Sequence, residues 1–137
     1  MVAVTNDEVE QRLRNALQGE GYQLNSPRKR GEHGADIIAC GSVGTWYIEV
    51  IGYKRRGFQR SWDFNTAFFG AVSRLNDRAE HCVIAMAKEA KLGLPVRAQQ
   101  HRVAWERIAK AFPELEIWLV DTSNGGYERT SWGEWLR

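Results

Sequence analysis

The stretch His81-Cys-Val-Ile-Ala-Met-Ala87 is a continuous apolar run of strand length, without the alternation of a strand that shows one face to water. Such a run is consistent with a strand buried on both faces, as in parallel pairing, where helical crossovers cover the sheet. Helical patterns stand on either side of it. Before it, Phe64, Ala67, Phe68, Ala71, Val72 and Leu75 mark one face of a helix, with Ser61 or Asp63 as its cap. After it, residues 88–99 read as a connection that Pro95 interrupts. Ala104, Trp105, Ile108, Ala111 and Phe112 then mark a further helix stopped at Pro113. Leu115-Glu-Ile-Trp-Leu-Val120 reads as another strand, and Asn124-Gly125-Gly126 turns the chain toward a final strand around 127–130.

The first half supplies a helix and hairpins. Thr5 and Glu8 form a capping box ahead of Val9, Leu13, Ala16 and Leu17, and Gly19 and Gly21 end that helix. Tyr22-Gln-Leu24 reads as a short strand, and residues 26–34 as a charged, exposed loop. Ala35-Asp-Ile-Ile-Ala-Cys40 and Thr45-Trp-Tyr-Ile-Glu-Val-Ile51 are strand-length runs joined by Gly41-Ser-Val-Gly44, a β-hairpin pattern. A chain of 137 residues has room for one hydrophobic core. The expectation is one α/β domain over 1–137, a central mixed sheet flanked by helices in the order α-β-β-β-α-β-α-β.

The formal net charge of +2 does not by itself announce a nucleic-acid binder, but the cations are grouped. Arg28, Lys29 and Arg30 precede Asp36, and Lys54, Arg55, Arg56 and Arg60 follow Glu49. No run approaches the length of a membrane span, and the N-terminus has no basic start and apolar signal core, so a cytoplasmic protein without a membrane partner is expected. Cys40 and Cys82 lie far apart in apolar runs and read as buried free thiols. His33, His81 and His101 show no ligand spacing. Trp105, Trp118 and Phe68 read as core, and Trp62 beside Arg60 is placed to stack on a base. Trp132 and Trp135 in the tail suit either a covered sheet edge or the interface of a homodimer.

Three acids stand where charge is not expected. Glu10 lies on the apolar stripe of the first helix, Asp36 opens the first hairpin strand, and Glu49 sits inside the second. Paired strands would bring Asp36 and Glu49 together, and the helix would lay Glu10 over them. Clustered carboxylates repel, and a shared divalent metal relieves them; hard oxygens without a Cys/His set point to Mg²⁺ (or Mn²⁺). Metal-activated water beside Lys and Arg is chemistry for phosphodiester hydrolysis. Each acid has a plainer reading: an ion pair with an Arg for Glu10, a turn acid for Asp36, and a pair with Arg74 or Lys54 for Glu49.

Gly34-Ala35-Asp36-Ile37-Ile38 followed by Tyr47-Ile48-Glu49-Val50 resembles the core motif of the PD-(D/E)XK nucleases, the restriction-endonuclease-like superfamily. Val9-Glu10 with Leu13, Leu17 and Gly21-Tyr22 is similar to its upstream helical Glu element, and Phe68-Phe69-Gly70-Ala71-Val72-Ser73-Arg74 to a later helix that often carries a Gln. The resemblance implies a restriction-endonuclease-like core, DNA as substrate, Asp36 and Glu49 as metal ligands, and Glu10 as a catalytic third acid. It also implies a lysine where this chain has Ile51. Lys54 is the expected substitute, with Gly52 bending or ending the strand so that it reaches the site. Arg28, Lys29, Arg30, Arg55, Arg56 and Arg60 are the expected nucleic-acid contacts. Two functions follow: a metal-dependent DNA endonuclease, or a nuclease-fold protein without catalysis that binds nucleic acid or serves assembly.

Overall fold

The computed structural model describes residues 3–29, 31, 32 and 34–137, so Arg30 and His33 lie outside the described residues. The hairpin pattern forms as β2 (Ile37–Gly41) and β3 (Gly44–Ile51), with β1 (Gln23–Leu24) added antiparallel to β2. The apolar run becomes β4 (His81–Ala87), parallel both to β3 and to β5 (Leu115–Val120). β6 (Tyr127–Ser131) closes the sheet antiparallel to β5, giving the order β1-β2-β3-β4-β5-β6. This is an α/β protein: a six-stranded mixed sheet packed against four helices, α1 (Asn6–Gly19), α2 (Gly57–Ser73), α3 (Gly93–Gln100) and α4 (Arg102–Ala111).

Strand alternation divides the core into two clusters. Ile48 and Val50 of β3 and Val83, Ala85 and Ala87 of β4 meet Val9, Leu13 and Leu17 of α1. Ile51 and Cys82, Ile84 and Met86 meet Phe64, Ala67 and Ala71 of α2, with Leu94 of α3 and Trp105 of α4 on the same side. β4 is thus covered on both faces, which is why its sequence does not alternate. The capping box of α1 forms as expected, Glu8 N–H donating to Thr5 Oγ1 at 3.1 Å and Thr5 N–H to Glu8 Oε2 at 2.8 Å. Among the described residues no helix is long and apolar enough to cross a membrane.

Three local expectations are corrected. Residues 88–99 are not a plain connection: α3 begins at Gly93 and places Pro95 in its first turn, where the missing N–H has no intrahelical partner to lose. α2 begins at Gly57, one turn before Ser61 and Asp63, and its N-cap Arg56 makes no side-chain cap. Cys82 is buried and its thiol pushed up to about 11, chiefly by that burial, but Cys40 is exposed on β2. The tail lies against the edge strand β6, where Trp135 Nε1 donates to Thr130 Oγ1 at 3.1 Å, and also turns inward. Trp132 is buried and stacks on Trp105 at 3.9 Å between ring centroids, each indole N–H donating to the other residue's carbonyl at 2.8 and 3.1 Å. Such a stack adds about 1 kcal/mol beyond the area it buries.

β3 ends abruptly. Val4 and Tyr53 pair across an isolated bridge, and Gly52 N–H donates to Asn6 Oδ1 at 2.6 Å. A Cβ on Gly52 would overlap the Val4 carbonyl, so the entry to α1 can lie against the end of β3 only over a glycine.

Candidate active site

Asp36 stands one residue before β2, where the β2–β3 ladder ends. Its Oδ2 accepts the Val50 N–H at 2.8 Å, replacing the next rung of that ladder. Its Oδ1 accepts Arg28 Nη2 at 2.8 Å, while Arg28 Nη1 donates to the Gly34 carbonyl. Gly34 has φ +114°, a left-handed turn that suits glycine, and this turn carries the chain into Asp36.

Glu49 pairs in register with Ile84 and shares the face of Tyr47 and Ile51, so its side chain points toward α2. There it lies against Gly70, where a Cβ would overlap the Glu49 carboxyl. Glu49 Oε2 is buried and has no hydrogen-bond partner among the described residues. The Glu49 pKa is raised to about 7 by burial first and the Asp36 charge second, against the opposing pull of Arg28, the Asp36 backbone amide and Arg74. Two carboxylates are therefore electrostatically coupled, one fully partnered and the other wanting a proton or a cation.

Glu10 does not join them. It comes from α1, which covers the opposite face of the sheet from Glu49, and it pairs with Arg14 Nε at 2.8 Å. Arg14 is 7% exposed and extends the link: its Nη1 donates to the Asn25 carbonyl at 2.6 Å and its Nη2 to the Asp36 carbonyl at 2.8 Å. Glu10 is thus linked to Asp36 through Arg14. Among the described residues, no three His, Cys, Asp or Glu side chains come together closely enough to hold a metal.

Lys54 is turned elsewhere. β3 does end before it, but its Nζ pairs with Asp63 Oδ2 at 2.6 Å on the first half of α2. Arg74 pairs with Asp77 at 2.7 Å, so neither Lys54 nor Arg74 forms an ion pair with Glu49. Ile51, only 7% exposed, is embedded in the apolar cluster with Phe64, Ala67 and Met86. The guanidinium bonded to the carboxylate pair is that of Arg28, with Arg74 acting on Glu49 by its charge.

The remaining expected contacts separate into two places. Lys29 is exposed beside Arg28, whereas Arg55 and Arg56 are exposed at the start of α2 and Arg60 lies in its first turns. At about 1.5 Å rise per residue, Gly57 and Gly70 stand ~20 Å apart along that helix, so one basic group adjoins the acids and the other does not. Between them Phe58, Trp62 and Phe69 are exposed on α2, Trp62 at 74%.

Arg14, Asn25 and Gly70 were not evident as site residues. Arg14 had a signal, standing four residues after Glu10 on one helix. Gly70 had a weaker one, a glycine inside a helix where it costs stability. Asn25, whose Oδ1 accepts the Ile38 N–H at 2.8 Å, had none.

Fold and site together define an α/β protein with a coupled carboxylate pair at the end of a hairpin ladder in a mixed sheet. No family model, curated protein or solved structure matches the chain.

Proposed function

We propose that this is a divalent-metal-dependent nuclease with a restriction-endonuclease-like core, acting on the phosphodiester bonds of DNA at Asp36 and Glu49. The observation that carries the reading is the buried Oε2 of Glu49, unpartnered among the described residues, beside a second carboxylate. The donor set suits Mg²⁺ or Mn²⁺, since Mg²⁺ is commonly held by one or two carboxylates together with water and substrate phosphate. Asp36 and Glu49 would hold the ion; once bound, it supplies Lewis acidity and a water of lowered pKa.

The chain's own groups have distinct parts. The Val50 amide fixes Asp36, and Arg14 fixes the backbone at Asp36. Without the ion, Glu49, its pKa raised to about 7 by burial and by Asp36, holds a proton that the cation would displace. Arg28 supplies the positive charge for a phosphate that Ile51 does not, and Lys29, Arg55 and Arg56 extend the contact along the backbone. Exposed Phe58, Trp62 and Phe69 offer flat faces to unstacked bases.

The test is cleavage of duplex, branched and single-stranded DNA with Mg²⁺ and with Mn²⁺. Cleavage is expected from the native chain, with loss of at least about a hundred-fold in Asp36→Ala and Glu49→Gln, the scale of a lost charge-stabilising group. No turnover on any of these substrates rejects catalysis on them.

A second reading, favoured by the buried Ile51 and by Lys54 bound to Asp63, is a nuclease-fold protein that binds nucleic acid, or serves assembly, without cleaving it. Its signature is binding that weakens steeply with salt while no substrate is cut. Binding insensitive to salt counts against it.

A further inference from the structure

α2 turns three large aromatic side chains to solvent. Phe58, Trp62 and Phe69 are 68%, 74% and 70% exposed, and steps of four and seven residues keep them within about 40° of one another around the helix. They stand on the side away from Phe64, Ala67 and Ala71, which meet the sheet. Single exposed apolar side chains are ordinary, but three aromatics aligned on one helix face form a surface suited to a partner.

The charge around the stripe narrows that partner. Arg55 and Arg56 are exposed at its start. At its other end Gly70, next to Phe69, lies against Glu49, whose neighbour Asp36 holds Arg28, and Lys29 is exposed beside it. The one acid of α2, Asp63, is tied to Lys54. A second copy laid antiparallel on the stripe would oppose basic end to basic end, which is unfavourable. A polyanion with flat apolar faces meets both features at once.

The spacing separates paired from unpaired strands. Along the helix axis Phe58 and Trp62 stand about 6 Å apart, and Trp62 and Phe69 about 10 Å. Bases in a duplex are stacked at about 3.4 Å and hide their faces, so these rings can be met only by bases that are splayed apart. Phe58 and Trp62 also line a recess of about 680 Å³ with Gln59 and Asn65, whose amides can donate to and accept from base edges.

We propose that the outer face of α2 binds an unpaired nucleic-acid strand, its bases on Phe58, Trp62 and Phe69, and that DNA with an unpaired segment, not intact duplex, is the substrate class of the Asp36–Glu49 site. The second part rests on the nuclease reading, and the first does not.

The probe is a short mixed-sequence oligonucleotide, single-stranded or as its blunt duplex, bound in EDTA at fixed salt. The single strand is expected to bind about ten-fold or more tightly than the duplex. Trp62→Ala should weaken it about ten-fold, as loss of one stacked base implies, and leave duplex binding within about two-fold. In the native chain the Trp62 indole N–H resonance should move with single strand while those of Trp105 and Trp132 do not, a readout that needs no variant to fold. Equal or tighter binding of duplex, or no loss in Trp62→Ala, overturns the proposal. So does a native dimer that Trp62→Ala dissociates, since a second copy then covers the stripe. Single-strand preference in EDTA without cleavage of any DNA in Mg²⁺ or Mn²⁺ rejects the nuclease reading and leaves the binding face standing; cleavage without that preference does the reverse.

Discussion

Glu49 and Asp121 are both carboxylates at sheet strands, yet their surroundings act on them in opposite directions. Asp121 follows β5. Its Oδ1 accepts the Ser123 N–H at 2.9 Å and the Ser123 hydroxyl at 2.6 Å, and its Oδ2 accepts Lys88 Nζ at 2.9 Å. Those donors, the Ser123 hydroxyl foremost, hold its carboxyl well below the usual range. Glu49 is buried beside a like charge, has an oxygen without a hydrogen-bond partner among the described residues, and is pushed up to about 7. One acid is a finished structural joint that ties the 121–125 turn to Lys88. The other is an unresolved charge, the condition expected of a group that exchanges a proton or takes a cation.

The harshest test places a cation beside the unresolved acid. Ile51 lies two residues from Glu49 on the same face and is walled by Phe64, Ala67 and Met86. Ile51→Lys should cost about 3 kcal/mol in urea unfolding at pH 8, the scale of a charge forced into an apolar wall. The Glu49 pKa, followed by carboxyl NMR, should fall below 7 in the same variant as the new ammonium compensates it. Unchanged stability would mean that the position already accommodates a lysine, and the contrast between a wanting and a finished acid would weaken.

A gentler test uses pH alone. A folded-state pKa of about 7, against an ordinary 4.5, means that between these values the native chain keeps a proton that the unfolded chain has lost. Stability from this group is therefore full on the acid side and declines as pH rises through the window. The slope is at most about 1.4 kcal/mol per pH unit, roughly 3 kcal/mol in all. Glu49→Gln should flatten the decline and be the more stable chain at pH 8. Asp121 works with the opposite sign: its contribution is present above the ordinary carboxyl pKa and lost as pH falls below it. A stability profile of Glu49→Gln that still declines between pH 4.5 and 7 would assign the slope elsewhere.

The difference between these acids was only half legible in the sequence. Glu49 stood out because strand alternation places a charge where β3 is buried, and the hairpin pattern was enough to set it near Asp36. The fate of Asp36 was not legible, since its partners arrive from Arg28, eight residues back in a loop, and from a backbone amide on another strand. Periodicity alone did not place Glu10: the face of the sheet that α1 covers depends on the handedness of the connections and is the one opposite Glu49, while the Glu10–Arg14 pair is local to the helix. Lys54 was lost for a related reason. The break at Gly52 was foreseen, yet the chain beyond it turns into α2, whose Asp63 takes the ammonium. The six-strand order was more accessible, because the unbroken run of β4 dictates crossovers and the Gly-rich turns dictate hairpins.

The smallest effect separates the two donors of Asp121. Lys88 is an exposed cation, so its attraction is weakened by water and by salt. The Ser123 hydroxyl is only two residues away on the turn itself, and its hydrogen bond is little affected by ionic strength. Ser123→Ala should therefore raise the Asp121 pKa more than Lys88→Ala does, with the order most evident at high salt, where the lysine variant converges on the native value. Stability should change little in either variant, because the Ser123 backbone amide remains on Oδ1. Carboxyl NMR titrations at low and high salt measure both. If Lys88→Ala gives the larger shift and salt removes it, Asp121 is governed by charge rather than by donors. The comparison with Glu49 would then rest on the sign of the nearest charge, Lys88 for one acid and Asp36 for the other, and not on whether each oxygen finds a hydrogen bond.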